Sequence, residues 1–145
     1  MRVLAKFCRR PSRDRRLLVS AAALHLLVAI GVRVLPFAWV RHALDRLAAF
    51  GSQARSAATL EARVVWAVRT AASLLPGANC LTEALVARCL LTHFQRDATL
   101  CFGVSRVQPV DRPLDAHAWL ERAGRAVMGA RAVDYEPLCP PRTLL

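Results

Sequence analysis

Two residues of this chain have the types and settings that acyl-transfer chemistry requires. Cys80 opens NCLTEALVARCLL, Asn79 to Leu91, an apolar run of helical period, and His117 lies in AHAWLE, Ala116 to Glu121, a run of strand period. A thiol attacks as the thiolate, and the mouth of a helix favours negative charge because its first backbone N–H groups are unpaired. An imidazole on a strand that packs close to that mouth can withdraw the thiol proton, giving the nucleophile and base of cysteine peptidases and related acyl-transfer enzymes. His25, His42 and His93 fall in helical runs with no such setting. The plainer alternative is that Cys80 packs as a small hydrophobe, as Cys89, Cys101 and Cys139 are expected to, and that His117 is a hydrogen-bonded structural residue.

Their neighbours suit either reading. Asn79 is the natural N-cap of the helix and secondarily a donor to an oxyanion; the Cys80 backbone amide is the first candidate for that role. Pro76-Gly77 breaks the chain just upstream and would hold the loop whose amides face an incoming carbonyl. Glu83 favours the helix start electrostatically. In a strand, His117, Trp119 and Glu121 share one face and Ala116, Ala118 and Leu120 the other. Trp119 either covers a cleft or packs in the core, and the core is the expectation.

The elements that position these residues follow from period and punctuation. Helices are expected over Leu17 to Leu35, ended by Pro36; Phe37 to Phe50, with Val40, Leu44 and Leu47 on one face and Gly51 closing it; Thr59 to Leu75, with Leu60, Val64, Val68 and Leu75 near one face; and Cys80 to Phe94. The last is apolar around most of its circumference and should be central. Ala98 to Val104 then alternates as a strand, a loop holding Pro109 and Pro113 follows, Ala116 to Glu121 alternates again, and Ala123-Gly124 turns the chain into a partner strand from Arg125 to Met128. Helices first and a small antiparallel sheet second make the fold class α+β.

At 145 residues the chain suits a single domain, 1–145, with a basic and mobile segment 1–16, a helical half 17–75 and a mixed half 76–145. The formal charge is +11, and Lys6 is the only lysine among 21 basic residues. Such a balance fits an acidic partner or membrane surface as well as a plain compositional bias, but no basic stripe with interleaved aromatics supports nucleic-acid binding. Five cysteines without a CxxC spacing argue against a disulfide framework and a metal site, and for a reducing compartment, the cytoplasm. Leu17 to Val32 carries no formal charge yet is shorter than a spanning helix needs and holds His25 in its middle. A helix buried in the protein or docked on a partner is expected there, with membrane contact through 17–32 the alternative.

LLPGANCLTEALVARCLL, LCFGVS and AHAWLERAGRAVMG together resemble the transglutaminase-like cysteine proteases of lasso-peptide biosynthesis, over about Val65 to Leu138. The resemblance implies a papain-like core in 76–145 and a peptidase that removes the leader from a ribosomal precursor peptide. Cys80 would be the nucleophile and His117 the base, with no cofactor and no metal. It further implies two partners: a separate leader-recognition protein, since nothing here is long enough to be that domain, and an ATP-dependent cyclase that receives the freed core. The family's third catalytic residue, an acid, is expected at the end of the strand after the histidine, where this chain has Met128, Gly129 and Ala130. Three substitutes stand open: Asp134, the one expected, if the loop after Gly129 folds back; Glu121, along the His117 face; or a backbone carbonyl. The missing acid is also the best support for a rival, a catalytically inactive binding or scaffold module docking on a membrane or on the cyclase. A third possibility is an amide-exchanging transferase using the same Cys–His chemistry.

Overall fold

The computed structural model describes residues 11–50, 59–105, 116–129 and 135–138. Residues 1–10, Gly51, the loop holding Pro109 and Pro113, Asp134, Cys8 and Cys139 lie outside them. Four helices, α1 (Ser12–Val34), α2 (Phe37–Ala49), α3 (Thr59–Leu74) and α4 (Cys80–His93), precede four strands, β1 (Thr99–Ser105), β2 (Ala116–Arg122), β3 (Arg125–Met128) and β4 (Tyr135–Pro137). The α+β architecture expected from the sequence is the one observed.

The first helix begins at Ser12 rather than Leu17, so part of the basic segment expected to be mobile is helical. Pro11 precedes it and Asp14 lies in its first turn, where a carboxylate is favoured. Asp14 also accepts a hydrogen bond from Arg63 Nε of α3 at 2.8 Å, a long-range partner that hydropathy does not show. Helix α2 buries Val40, Leu44 and Ala48, a spacing of four and four. Leu47, expected on that face, is instead 48% exposed.

Helix α4 is the shared element. Its buried residues, Thr82, Ala84, Leu85, Val86, Ala87, Cys89, Leu90 and Leu91, cover most of its circumference. The other three helices and the sheet pack around it. Leu85 and Leu91 join the same core as Val64 and Val68 of α3, Val28 of α1, Leu120 of β2 and Met128 of β3. Each such large side chain contributes roughly 1.5–3 kcal/mol on burial, against at most about 1 kcal/mol for a partly exposed ion pair. The core therefore holds the layers together, and the ion pairs Arg63–Asp14, Arg88–Asp45 and Arg122–Glu61 fix their register.

The sheet is antiparallel in the order β3-β2-β1-β4. Ala123 and Gly124 both have positive φ, 50° and 70°, as a two-residue hairpin turn of the primed type needs. β4 was not legible as a strand. It is three residues long, carries Pro137, and lies at the sheet edge, where proline is tolerated. Leu120 and Met128 turn one sheet face toward the helices, so by alternation His117, Trp119 and Glu121 occupy the opposite face.

His25 is a polar residue inside the helical core, 1% exposed. Its Nδ1 lies 3.3 Å from the Ala21 carbonyl, and among the described residues Nε2 meets no partner. Burial disfavours the charged ring and lowers its pKa from the ordinary 6.5, against smaller raising effects of the Ala21 carbonyl and the Glu83 charge. Below pH 6.5 the unfolded chain therefore takes a proton at His25 that the folded chain resists, and stability falls as pH drops through that value. His25→Leu should remove this part of the acid sensitivity. Urea midpoints at pH 7.5 and 5.5 should differ less in the variant than in the native chain; an equal difference would show that His25 does not titrate on unfolding.

Candidate active site

Cys80 is the first residue of α4 and is half-buried. The helix mouth is built by Asn79, whose Oδ1 accepts from the Thr82 amide at 2.9 Å while Thr82 Oγ1 accepts from the Asn79 amide at 2.9 Å, a reciprocal capping box. The expected N-cap is thus in place. The side-chain group of Asn79 able to donate to an oxyanion is its Nδ2. The loop before it turns at Gly77, φ 81°, where an added Cβ would come within 2.9 Å of Arg33 Nη2. Arg33 belongs to the last turn of α1 and donates to Ala29 O at 2.7 Å, so the turn at Gly77 is packed against a cation.

His117 sits in β2, opposite Gly103 of β1. Its ring is stacked on two aromatic neighbours, Tyr135 at a centroid separation of 4.9 Å and Trp119 at 6.4 Å. Nε2 lies 3.2 Å from the carbonyl oxygen of Gly129. A carbonyl only accepts, so this contact assigns the hydrogen to Nε2 and leaves the Nδ1 lone pair of the neutral ring free to take a proton. Gly129 has φ 77°, and a Cβ there would stand 3.2 Å from that same Nε2 and 2.9 Å from Trp119 Cβ. Glycine is the residue that lets the backbone come this close. Trp119 is buried as expected, 2% exposed, but beside the imidazole on the sheet face away from the helical core cluster.

Of the three substitutes open for the missing acid, the structure places a backbone carbonyl, that of Gly129, on the imidazole. Glu121 is engaged elsewhere: its Oε1 accepts from the Trp119 indole Nε1 at 2.7 Å. Its charge also faces Cys101. Asp134 lies outside the described residues. The Gly129 contact was missed as a specific partner because any residue type supplies a carbonyl; its signal was the glycine itself. Gly103 was a second such signal, since a Cβ on it would lie 2.8 Å from Trp119 Cζ3 and 2.7 Å from the Glu136 carbonyl.

Cys80 and His117 belong to elements that pack on one another, α4 and β2. Among the described residues no hydrogen bond joins the Cys80 thiol to the imidazole. The imidazole lies on the sheet face turned away from the helices, so in this structure the expected approach of His117 to the Cys80 helix mouth is not seen as a hydrogen-bonded pair. The two other described cysteines are set against reaction. Burial, then the Asp45 charge, pushes the Cys89 thiol up to about 11, and Cys89 donates to the Leu44 carbonyl at 3.6 Å. Burial, then the Glu121 charge, pushes Cys101 up to about 11.

A family model described as the transglutaminase-like superfamily matches residues 22–139. The chain belongs to the transglutaminase-like superfamily. No curated protein and no solved structure matches it. Membership in this superfamily, which includes cysteine proteases, agrees with a cysteine opening the central helix and a histidine on the packed sheet, and the match reaches back through α2 into α1.

Two predictions follow from this geometry. At pH 7 only about one in ten thousand Cys89 or Cys101 thiols is ionised, so iodoacetamide followed by peptide mapping should label Cys80 at least about tenfold faster than either. Equal rates would place Cys80 among the inert thiols. Gly103→Ala should displace Trp119 and the ring stacked beside it, lowering the thermal midpoint by several degrees and shifting the His117 ring resonances. Unchanged resonances would mean that the pocket around Trp119 can give.

Proposed function

We propose that the protein is a cytoplasmic cysteine peptidase that removes the leader from a lasso-peptide precursor, acting with a separate leader-binding protein and passing the core to an ATP-dependent cyclase. The observation that carries the peptidase reading is the His117 Nε2 contact with Gly129 O, which prepares a base of defined tautomer. The lasso assignment rests on the resemblance of the LLPGANCLTEAL, LCFGVS and AHAWLE segments to that protease family.

This mechanism requires substrate binding to bring the imidazole within reach of the Cys80 thiol. His117 Nδ1 takes the Cys80 proton, and the thiolate adds to the carbonyl carbon of the last leader residue. The resulting oxyanion is met by the Cys80 amide, one of the unpaired N–H groups of the helix mouth, with Asn79 Nδ2 as a second donor. The imidazolium returns its proton to the departing amine as the C–N bond breaks, leaving a thioester between Cys80 and the leader. Water, deprotonated by His117, then releases the leader carboxylate and restores the thiol. The Gly129 carbonyl holds the ring throughout and, being uncharged, stabilises the imidazolium less than a carboxylate would, at some loss of rate.

That neither a Cys80–His117 hydrogen bond nor a carboxylate on the ring occurs among the described residues favours one other reading, an inactive transglutaminase-like scaffold. The two separate in one assay. The purified protein with its leader-binding partner should cut the precursor, and Cys80→Ala should abolish cutting. Cleavage that survives Cys80→Ala at the normal rate defeats the mechanism, and a folded native chain that never cuts favours the scaffold. A product carrying a new amide instead of a free carboxylate would make the protein a transferase. Glu121→Gln and Asp134→Asn should each change kcat/KM less than about tenfold if the carbonyl is the orienting partner; a loss of about a thousandfold in either would assign that role to the carboxylate.

A further inference from the structure

The exposure of Leu47 marks a feature that the chemistry at Cys80 does not use. Leu47 and Phe50 at the end of α2 face Leu24 and Leu27 of α1 across a groove of about 930 Å³, floored by Leu90 and Phe94 near the far end of α4. Cys80 opens that 14-residue helix, so the groove lies roughly 20 Å from the thiol at about 1.5 Å per residue. Its walls are apolar and its rim is cationic, with Arg13, Arg16 and Arg63. Arg63 is neutralised by Asp14, whereas Arg13 and Arg16 have no carboxylate partner among the described residues.

Charge selects the occupant. The segments that adjoin the groove in sequence, 1–10 and 51–58, contain Arg2, Lys6, Arg9, Arg10 and Arg55 and no Asp or Glu, so they repel the rim. A second copy brings its own +11. A bilayer surface would press on the outward strip of α1, where Leu27 is 65% exposed, but does not reach down to Leu90 between the helices. A helix with one apolar and one acidic face fills the concavity and pairs with the rim at once, the helix-in-groove mode of recognition.

We propose that this groove is a docking site for an acidic amphipathic helix of a partner polypeptide, with its apolar face on Leu24, Leu47, Leu90 and Phe94 and its carboxylates on Arg13 and Arg16. The site stands apart from the peptidase reading, and its test involves no cleavage. A fluorescent model peptide of about five helical turns, Leu on one face and Glu on the other, is titrated with the full chain and followed by anisotropy. Binding should be saturable, weaken as salt rises, and fall at least tenfold in the double variant Arg13→Glu, Arg16→Glu and in Leu47→Glu. These positions are exposed, so thermal unfolding should stay unchanged and show that the variants are folded. No binding, equal binding of the same peptide with Lys in place of Glu, or full binding by Leu47→Glu would overturn the proposal. So would sedimentation with phosphatidylglycerol-containing vesicles that the Glu peptide fails to compete away, which would assign the face to a membrane.

Discussion

The orientation of the His117 imidazole depends on one backbone atom. The Gly129 carbonyl, 3.2 Å from His117 Nε2, decides which ring nitrogen is free, and so decides whether the histidine can serve as a base toward a thiol. Much of the sheet can be understood as what brings that oxygen into place. β3 ends at Met128, buried against the helices, so that the next residue turns over the β2 face at positive φ. β4 lies along β1 and sets Tyr135 on the open side of the ring. Gly103 leaves the room that Trp119 occupies beside it. Either glycine replaced by any other residue puts a Cβ inside 3 Å of this cluster, so the orientation of the imidazole rests on packing as much as on the hydrogen bond.

The helical half does a different task. It buries α4 nearly all round, which fixes the direction of its mouth. A capping box of Asn79 and Thr82 satisfies one helix amide and the cap amide and leaves the earliest helical N–H groups available at Cys80. Burial and neighbouring carboxylates push the Cys89 and Cys101 thiols up, which sets both against reaction although Cys101 is half-buried just as Cys80 is. At its other end the same helix floors an apolar groove. One element thus presents a half-buried cysteine at its first residue and borders an apolar groove at its last turn.

How much of this the sequence showed depended on how local the cause was. The mouth of α4, the hairpin at Ala123-Gly124 and the His117 face were legible because period, a cap residue and a turn pair act within a few residues. The start of α1 at Ser12 was not, since Asp14 finds its partner in Arg63 on another helix. β4 became a strand only through pairing with β1, and Leu47 became exposed because α2 turns its four-and-four spacing, not four-and-three, toward the core. The partner of His117 was the least legible of all. A search for a third catalytic residue looks for a carboxylate letter, whereas the described residues place on the imidazole a main-chain oxygen that no letter encodes.

The most direct test of the account is the tautomer of His117 in the folded protein, read from long-range proton–nitrogen correlations of a nitrogen-15 histidine-labelled sample at a pH where the ring is neutral, with His117→Gln to assign the signals. The account predicts the Nε2–H form, with the Nδ1 signal shifted as an unprotonated nitrogen. A dominant Nδ1–H form would mean that Gly129 does not hold the ring, and that the nitrogen assigned to accept the Cys80 proton is already occupied.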